Sequence, residues 1–171
     1  NFPQLVDALD RFQTVLPALV AGLDDEAVRW RPPTGHWSIL EIVCHLADEE
    51  IEDFRKRVEL TLRDPAQAWP PIDPEGVAVS RAYNEQQLDE VLQRFVDERQ
   101  QSVRWLRGLD KPDWDHAYNH PKFGPIQAGE VLAAWAAHDQ LHARQIAKRL
   151  FELCQHYADP YGVSYAGDWT A

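Results

Sequence analysis

The chain has 171 residues, 44% of them hydrophobic and 26% charged, which fits a single globular domain spanning residues 1–171. Its formal net charge of −11 argues against partners that reward clustered lysine and arginine, so we expect neither nucleic acid nor an anionic membrane surface as a partner. No apolar run approaches the roughly 18 residues that a membrane helix needs, and no charged-then-apolar leader opens the sequence, so we expect a cytoplasmic protein.

Helical periodicity predicts four long helices, separated by segments rich in proline and glycine. The first runs over about residues 3–22 and stops at Gly22. Its apolar face, with spacings of three and four, holds Leu5, Leu9, Phe12, Leu16 and Leu19. A short acidic piece over residues 24–31 follows, and we expect one or two helical turns there.

The second predicted helix has the clearest start in the sequence. Ser38 and Glu41 form an S-x-x-E capping box, and Trp37 and Ile42 stand at the two positions of a hydrophobic staple. The helix should therefore begin at Ser38 and run to about Leu62, roughly 35 Å at 1.5 Å per residue. That length is enough to form one side of a bundle.

Two long connections and two further helices complete the predicted fold. Residues 63–82 hold four prolines and a glycine and should form a long connection, as should residues 109–126. The third helix is predicted over residues 83–107 and the fourth over residues 127–156. The inward candidates of the fourth helix are Val131, Trp135, Leu141, Ile146 and Leu150. Nothing predicts a strand, so the expected fold is all-α: a four-helix bundle with long crossover loops.

The end of the chain and the two cysteines give weaker signals. The tail after the fourth helix is aromatic, with Tyr157, Tyr161, Tyr165 and Trp169. Such a tail is too apolar for a solvated terminus, and we expect it to pack back on the bundle. Cys44 and Cys154 lie far apart in predicted helices without a C-x-x-C pair, which favours buried, reduced thiols over a disulfide or a redox motif.

Three histidines point to a metal site. His138 and His142 are four residues apart in the fourth helix, so both imidazoles lie on one face, along the apolar stripe through Trp135 and Ile146. His45 lies on the inner line of the second helix, two turns after its cap. Three neutral imidazoles suit a divalent ion such as zinc or nickel and leave a position open for water or substrate. The residues alone leave open that His45 is an ordinary hydrogen-bonded core histidine.

Two carboxylates near His45 are candidate catalytic residues. Glu49 and Glu52 follow His45 by four and seven residues, on nearly the same helix face. Either is a candidate fourth ligand, general base or hydrogen-bond partner of a ligand. The alternative is a solvated acidic face in the run D-E-E-I-E-D.

Other titratable residues are poorer candidates for the site. Asp139 points about 100° away from His138 on the helix, which favours an exposed residue or a pair with Arg144. His116 and His120 also have a spacing of four, but they lie in a segment flanked by proline where no helix holds them together. We expect these two to be surface residues, with the mouth of a site as the alternative.

Two motifs resemble those of a known family. The sequence W-S-I-L-E-I-V-C-H-L-A-D at residues 37–48, preceded by R-P-P, and H-D-Q-L-H-A-R-Q-I at residues 138–146 together resemble the DinB-like superfamily, including its YfiT-like branch. The resemblance covers nearly the whole chain. It implies a four-helix bundle in which His45, His138 and His142 bind a metal, and it implies a homodimer as a common state. Gln127, a weaker cap, stands at the start of the fourth helix where the family often has a threonine.

The resemblance leaves more than one function open. Characterised members include low-molecular-weight-thiol transferases and a maleylpyruvate isomerase, which implies a metal-dependent enzyme that transfers a small-molecule thiol to an electrophile, with a hydrolase next. The rival is a non-catalytic metal-binding module that serves stability, stress response or sensing. A third reading takes H-D-Q-L-H as a variant of the H-E-x-x-H protease motif, but Asp139 is one methylene shorter than the usual base.

Overall fold

The structure is a computed structural model that describes residues 2–169. Its helices, in chain order, are α1 (Phe2–Val20), α2 (Asp25–Arg29), α3 (Ile39–Glu49), α4 (Lys56–Arg63), α5 (Pro74–Ser80), α6 (Leu88–Gly108) and α7 (Ala128–Tyr157). A π-helical turn over Glu50–Arg55 joins α3 to α4, and the three together form one long segment, the α3–α4 helix. This helix packs with α1, α6 and α7 as the predicted four-helix bundle, which the structure confirms.

Side-chain caps fix the start of the helices that bear the candidate site. The Ser38 hydroxyl accepts from the Glu41 N–H at 3.2 Å, and the Glu41 carboxylate accepts from the Ser38 N–H at 2.8 Å, as predicted. Arg31 donates to the same carboxylate at 2.9 Å. At the start of α7 the Glu130 carboxylate accepts from the backbone N–H of Gln127 at 2.8 Å, which supports a start that the glutamine alone signals weakly.

A β-hairpin interrupts the second long connection. Strand β1 (Ala117–His120) pairs antiparallel with β2 (Gly124–Gln127). Gly124 has φ of 76°, a conformation that glycine adopts without strain. The Tyr118 ring stacks on Trp69 of the first connection at 4.6 Å, so the hairpin depends on a contact that is distant in sequence. The all-α bundle is confirmed, but the expectation that residues 109–126 contain no strand is wrong, because strands this short show no readable alternation.

The apolar core consists of two clusters. The larger is built on α3 and includes Ile42 and Phe95, whereas the smaller includes Leu9 and Trp135. The buried guanidinium of Arg99 lies 4.8 Å from the Phe95 ring of the first cluster and 5.8 Å from the Trp135 ring of the second. A charged group thus stands where the two clusters meet.

Several details of the outer surface differ from the predictions. Leu141 is 61% exposed, because it lies on the outer face of α7, so its assignment to the core is wrong. Cys44 is buried as predicted, but Cys154 is exposed. In the tail, Trp169 packs on Phe151 with ring centroids 5.5 Å apart, whereas the three tyrosines remain exposed. Over residues 2–169, no helix has the length and apolar character that crossing a membrane demands.

Candidate metal centre

Three histidine side chains converge between the α3–α4 helix and α7. Nε2 of His138 lies 3.4 Å from Nε2 of His45 and 3.0 Å from Nε2 of His142. One ligand nitrogen from each ring can be chosen so that all three lie within 4.8 Å of one another. Nitrogens bound tetrahedrally to zinc at about 2.0–2.1 Å stand about 3.3 Å apart, close to the 3.4 and 3.0 Å that separate Nε2 of His138 from the other two rings. The structure therefore brings together the three residues predicted as ligands, in a geometry that fits one metal ion.

The three rings are held neutral by their surroundings. Burial lowers the pKa of His45 and of His138 to about 3, and the neighbouring His142 acts in the same direction on both. Burial also lowers the pKa of His142, against the effect of its hydrogen bond with Gln145. Neutral imidazole has a free nitrogen lone pair, which is the form that binds metals.

Packing and a hydrogen bond orient the rings. Nδ1 of His142 lies 2.7 Å from the amide oxygen of Gln145, which requires a proton on Nδ1 and turns the Nε2 lone pair towards the cluster. The Trp37 ring lies 5.0 Å from the His45 ring, and the Phe54 ring lies 4.8 Å from the His138 ring. Two aromatic side chains thus flank the cluster and restrict the rotation of its imidazoles.

The two predicted catalytic carboxylates lie in different surroundings. Glu49 is mostly buried, with Oε1 3.9 Å from Nδ1 of His45, and burial together with its hydrogen bond to Asp53 raises its pKa well above the usual range. Glu52 is mostly exposed and pairs with Arg81 at 2.9 Å. In a regular α-helix Glu52 would share the face of His45, but the π-helical turn that starts at Glu50 shifts the residues that follow.

Asp139 is not where the sequence suggested. Its side chain is 1% exposed, and both carboxylate oxygens accept from Arg99, at 2.6 and 2.9 Å, whereas an exposed residue or a pair with Arg144 was predicted. The prediction is wrong because α7 is covered by other helices on more than one side, so a position 100° away from His138 is also interior. Asp139 therefore lies beside the histidine cluster in sequence but belongs to another buried group.

That group is a charged network that joins the four long helices, and sequence reasoning missed it. Arg99 of α6 donates to Glu50 of the π-helical turn at 2.9 Å, to Asp139 of α7, and to the backbone oxygen of Leu9 in α1 at 3.0 Å. The Trp135 indole N–H also donates to Glu50, at 3.0 Å. A signal was present, because Arg99 interrupts the apolar face of α6 at a spacing of four from Phe95. The network ties the backbone segments that bear the histidines to each other.

The second histidine pair stays outside the cluster. Nδ1 of His116 lies 3.2 Å from the backbone oxygen of Leu62, and the His120 ring stacks on Phe123 at 4.8 Å. Both belong to the hairpin region rather than to a helix, as their proline-flanked sequence indicated.

The fold and the cluster together define a class of protein: four-helix bundles in which two facing helices bring three histidines to one point. The chain belongs to the DinB superfamily, whose family model matches residues 8–146, and the resemblance seen in the sequence is thereby confirmed.

Two relatives extend this comparison. A protein of Oceanobacillus iheyensis with the provisional name of metal-dependent hydrolase is 24% identical over 149 residues, which cover 82% of this chain and 81% of that protein. YfiT from Bacillus subtilis is described as a probable metal-dependent hydrolase with an unusual four-helix bundle topology. Its structure matches with a TM-score of 0.80 at 18% identity, over 89% of this chain and 87% of that chain, which shows a shared fold.

Proposed function

We propose that the protein is a metal-dependent hydrolase whose divalent ion is bound by His45, His138 and His142. The convergence of their ring nitrogens is the observation that carries the proposal. The relatives named as metal-dependent hydrolases support it. Zinc or nickel fits best, because imidazole nitrogen is a good ligand for both.

The donor set fits a catalytic rather than a closed structural site. Three neutral imidazoles leave the charge of the ion uncompensated and one position open, so a bound ion supplies a Lewis acid that activates water near neutral pH. Over residues 2–169, the group of residues placed to hold a metal contains these three histidines and no cysteine or carboxylate. A structural zinc site would have a fourth protein ligand.

Glu49 is the carboxylate best placed to move protons at this site. It lies next to His45 and lines a cavity of about 150 Å³ that also reaches Tyr83 and the proline-rich first connection. Glu52 lines the same cavity, but Arg81 already binds its carboxylate. We therefore assign proton transfer to Glu49 and a structural ion pair to Glu52.

Transfer of a small-molecule thiol to an electrophile is the second candidate. The same uncompensated charge that activates water also favours the ionised form of a thiol, which is the nucleophilic form. A thiol and water would compete for the one open position. Hydrolysis is therefore inhibited by thiol if both bind there, and thiol-dependent turnover of an electrophile marks transferase activity.

The two glutamates provide a direct test. Metal-loaded wild-type protein is assayed with a panel of esters and amides, with and without a chelator, beside Glu49→Gln and Glu52→Gln. We expect turnover that the chelator abolishes, a loss of about 10²–10⁴-fold in kcat for Glu49→Gln, and a change below about threefold for Glu52→Gln. Metal content should be equal in all three proteins.

Other outcomes would redirect the assignment. Thiol-dependent turnover of electrophiles without ester or amide hydrolysis would replace the hydrolase with the transferase. A fully loaded protein that turns over neither class, with or without thiol, would leave a binding module in which the metal serves sensing or structure. Equal losses in Glu49→Gln and Glu52→Gln would contradict the distinction between the two carboxylates.

A further inference from the structure

A cavity of about 410 Å³ lies between the β-hairpin, the α3–α4 helix and α7. Most of its lining is apolar and includes three aromatic side chains, Phe54, Trp69 and Phe123. The fold thus builds a pocket of the size of a small organic group under the hairpin, in a part of the chain that the proposed hydrolysis does not otherwise use.

The cavity lies next to the histidine cluster, between the same two helical segments. Ala134 lines the cavity and lies one turn before His138 on the same face of α7. On the opposite wall, Phe54 lines the cavity while its ring lies 4.8 Å from the His138 ring. The cavity is therefore close enough to the proposed metal centre for a side group of one bound molecule to occupy it.

The charged residues of the lining are already paired. Asp53 and Arg57 form an ion pair at 2.5 Å, and the Arg57 guanidinium lies 4.8 Å over the Trp69 ring. The Glu130 carboxylate accepts the capping hydrogen bond from the Gln127 N–H. A charged ligand group would have to displace one of these contacts, whereas a neutral apolar group would meet the aromatic walls without doing so.

The rim of the cavity carries an exposed aromatic side chain. Phe123 at the hairpin turn is 67% exposed, and its ring has His120 stacked on one side at 4.8 Å. The Lys122 ammonium also lies 5.2 Å from the ring centroid. Burial of the exposed part of Phe123 against a planar group that enters the cavity would favour binding.

We propose that this cavity is the subsite for a neutral aromatic or branched apolar side group of the substrate. The proposal rests on the proposed hydrolase function for the position of the scissile bond, but the cavity can be tested by binding alone. The proposal places substrate specificity on the hairpin side of the metal centre. It predicts that esters and amides with bulky apolar groups are preferred over their acetyl or methyl counterparts.

The test uses the full chain loaded with metal, and N-benzylacetamide as a neutral aromatic probe. Ala134→Phe places a ring inside the cavity, whereas Ala133→Phe, its matched control, faces the groove towards α1. Both alanines are exposed, so both replacements should be tolerated. Amide NMR signals follow binding, with those of Phe123 and Ile126 as cavity reporters.

We expect saturable shifts of the cavity reporters in wild type and in Ala133→Phe, and at least a tenfold weaker dissociation constant in Ala134→Phe. The preference for benzyl over methyl esters, as a ratio of kcat/KM, should fall at least tenfold in Ala134→Phe alone. Absence of saturable shifts in wild type, or equal binding by the two variants, would overturn the subsite. If the probe binds as predicted but no ester or amide is hydrolysed, the hydrolase function fails and the subsite remains.

Discussion

Arg99→Met tests whether the buried charged network is what holds the bundle together around the cluster. Arg99 donates four hydrogen bonds, one to Glu50, two to Asp139 and one to the backbone oxygen of Leu9. Methionine fills much of the same volume but leaves Glu50 and Asp139 buried without their cation. Breaking a buried ion pair in this way costs about 3–5 kcal/mol, which for a chain of 171 residues lowers Tm by about 6–20 °C.

Urea denaturation and calorimetry at pH 7 measure this loss of stability. Arg104→Met on the same helix is the control, because that side chain is exposed, and its effect should stay within about 0.5 kcal/mol. A triple variant that combines Arg99→Met with Glu50→Gln and Asp139→Asn should regain about half of the loss, since no unpaired charge remains buried. An Arg99→Met protein within 1 kcal/mol of wild type would refute the reasoning.

Two further predictions concern a buried carboxylate and the two cysteines. Burial alone would raise the pKa of Asp48. Hydrogen bonds from Tyr83, Arg94 and Arg81 outweigh the effect of burial and hold that pKa below its usual range. A lowered pKa stabilises the fold above the unfolded value of about 3.9 and ceases to do so as the pH falls through the folded value. In urea denaturation, the loss in free energy of unfolding caused by Asp48→Asn should therefore be full at pH 7 and shrink below about pH 4. A loss that stays constant down to pH 3 would contradict this. When native protein is treated with a thiol reagent, exposed Cys154 should react, whereas buried Cys44 should react only after urea is added. Two labelled thiols per chain without urea would contradict the burial of Cys44.

The sequence predicted the four long helices of the bundle because each of them depends on local signals. The capping box at Ser38 and the apolar faces of four helices are patterns within a few residues of one another. The juxtaposition of His45 with His138 and His142 followed from the inward faces of two helices together with the family resemblance. Predicting the helices and the histidine cluster requires no knowledge of contacts between residues far apart in sequence, other than the packing of the bundle itself.

The missed features depend on contacts between distant parts of the chain. The hairpin is held by Tyr118 on Trp69, and Arg99 binds partners 40 to 90 residues away. A charged residue on an apolar face signals a buried pair, but the sequence does not say which carboxylates complete it. The π-helical turn after Glu49 likewise moves Glu52 away from the face that α-helical spacing assigns to it.

Metal content tests the central claim most directly. Wild-type protein, His142→Ala and the control His116→Ala, whose histidine lies outside the cluster, are purified identically and analysed for bound divalent ions. We predict about one ion per chain in wild type and in His116→Ala, and a large loss in His142→Ala, because two imidazoles bind far more weakly than three. Unchanged metal content in a folded His142→Ala protein would contradict the assignment of the site.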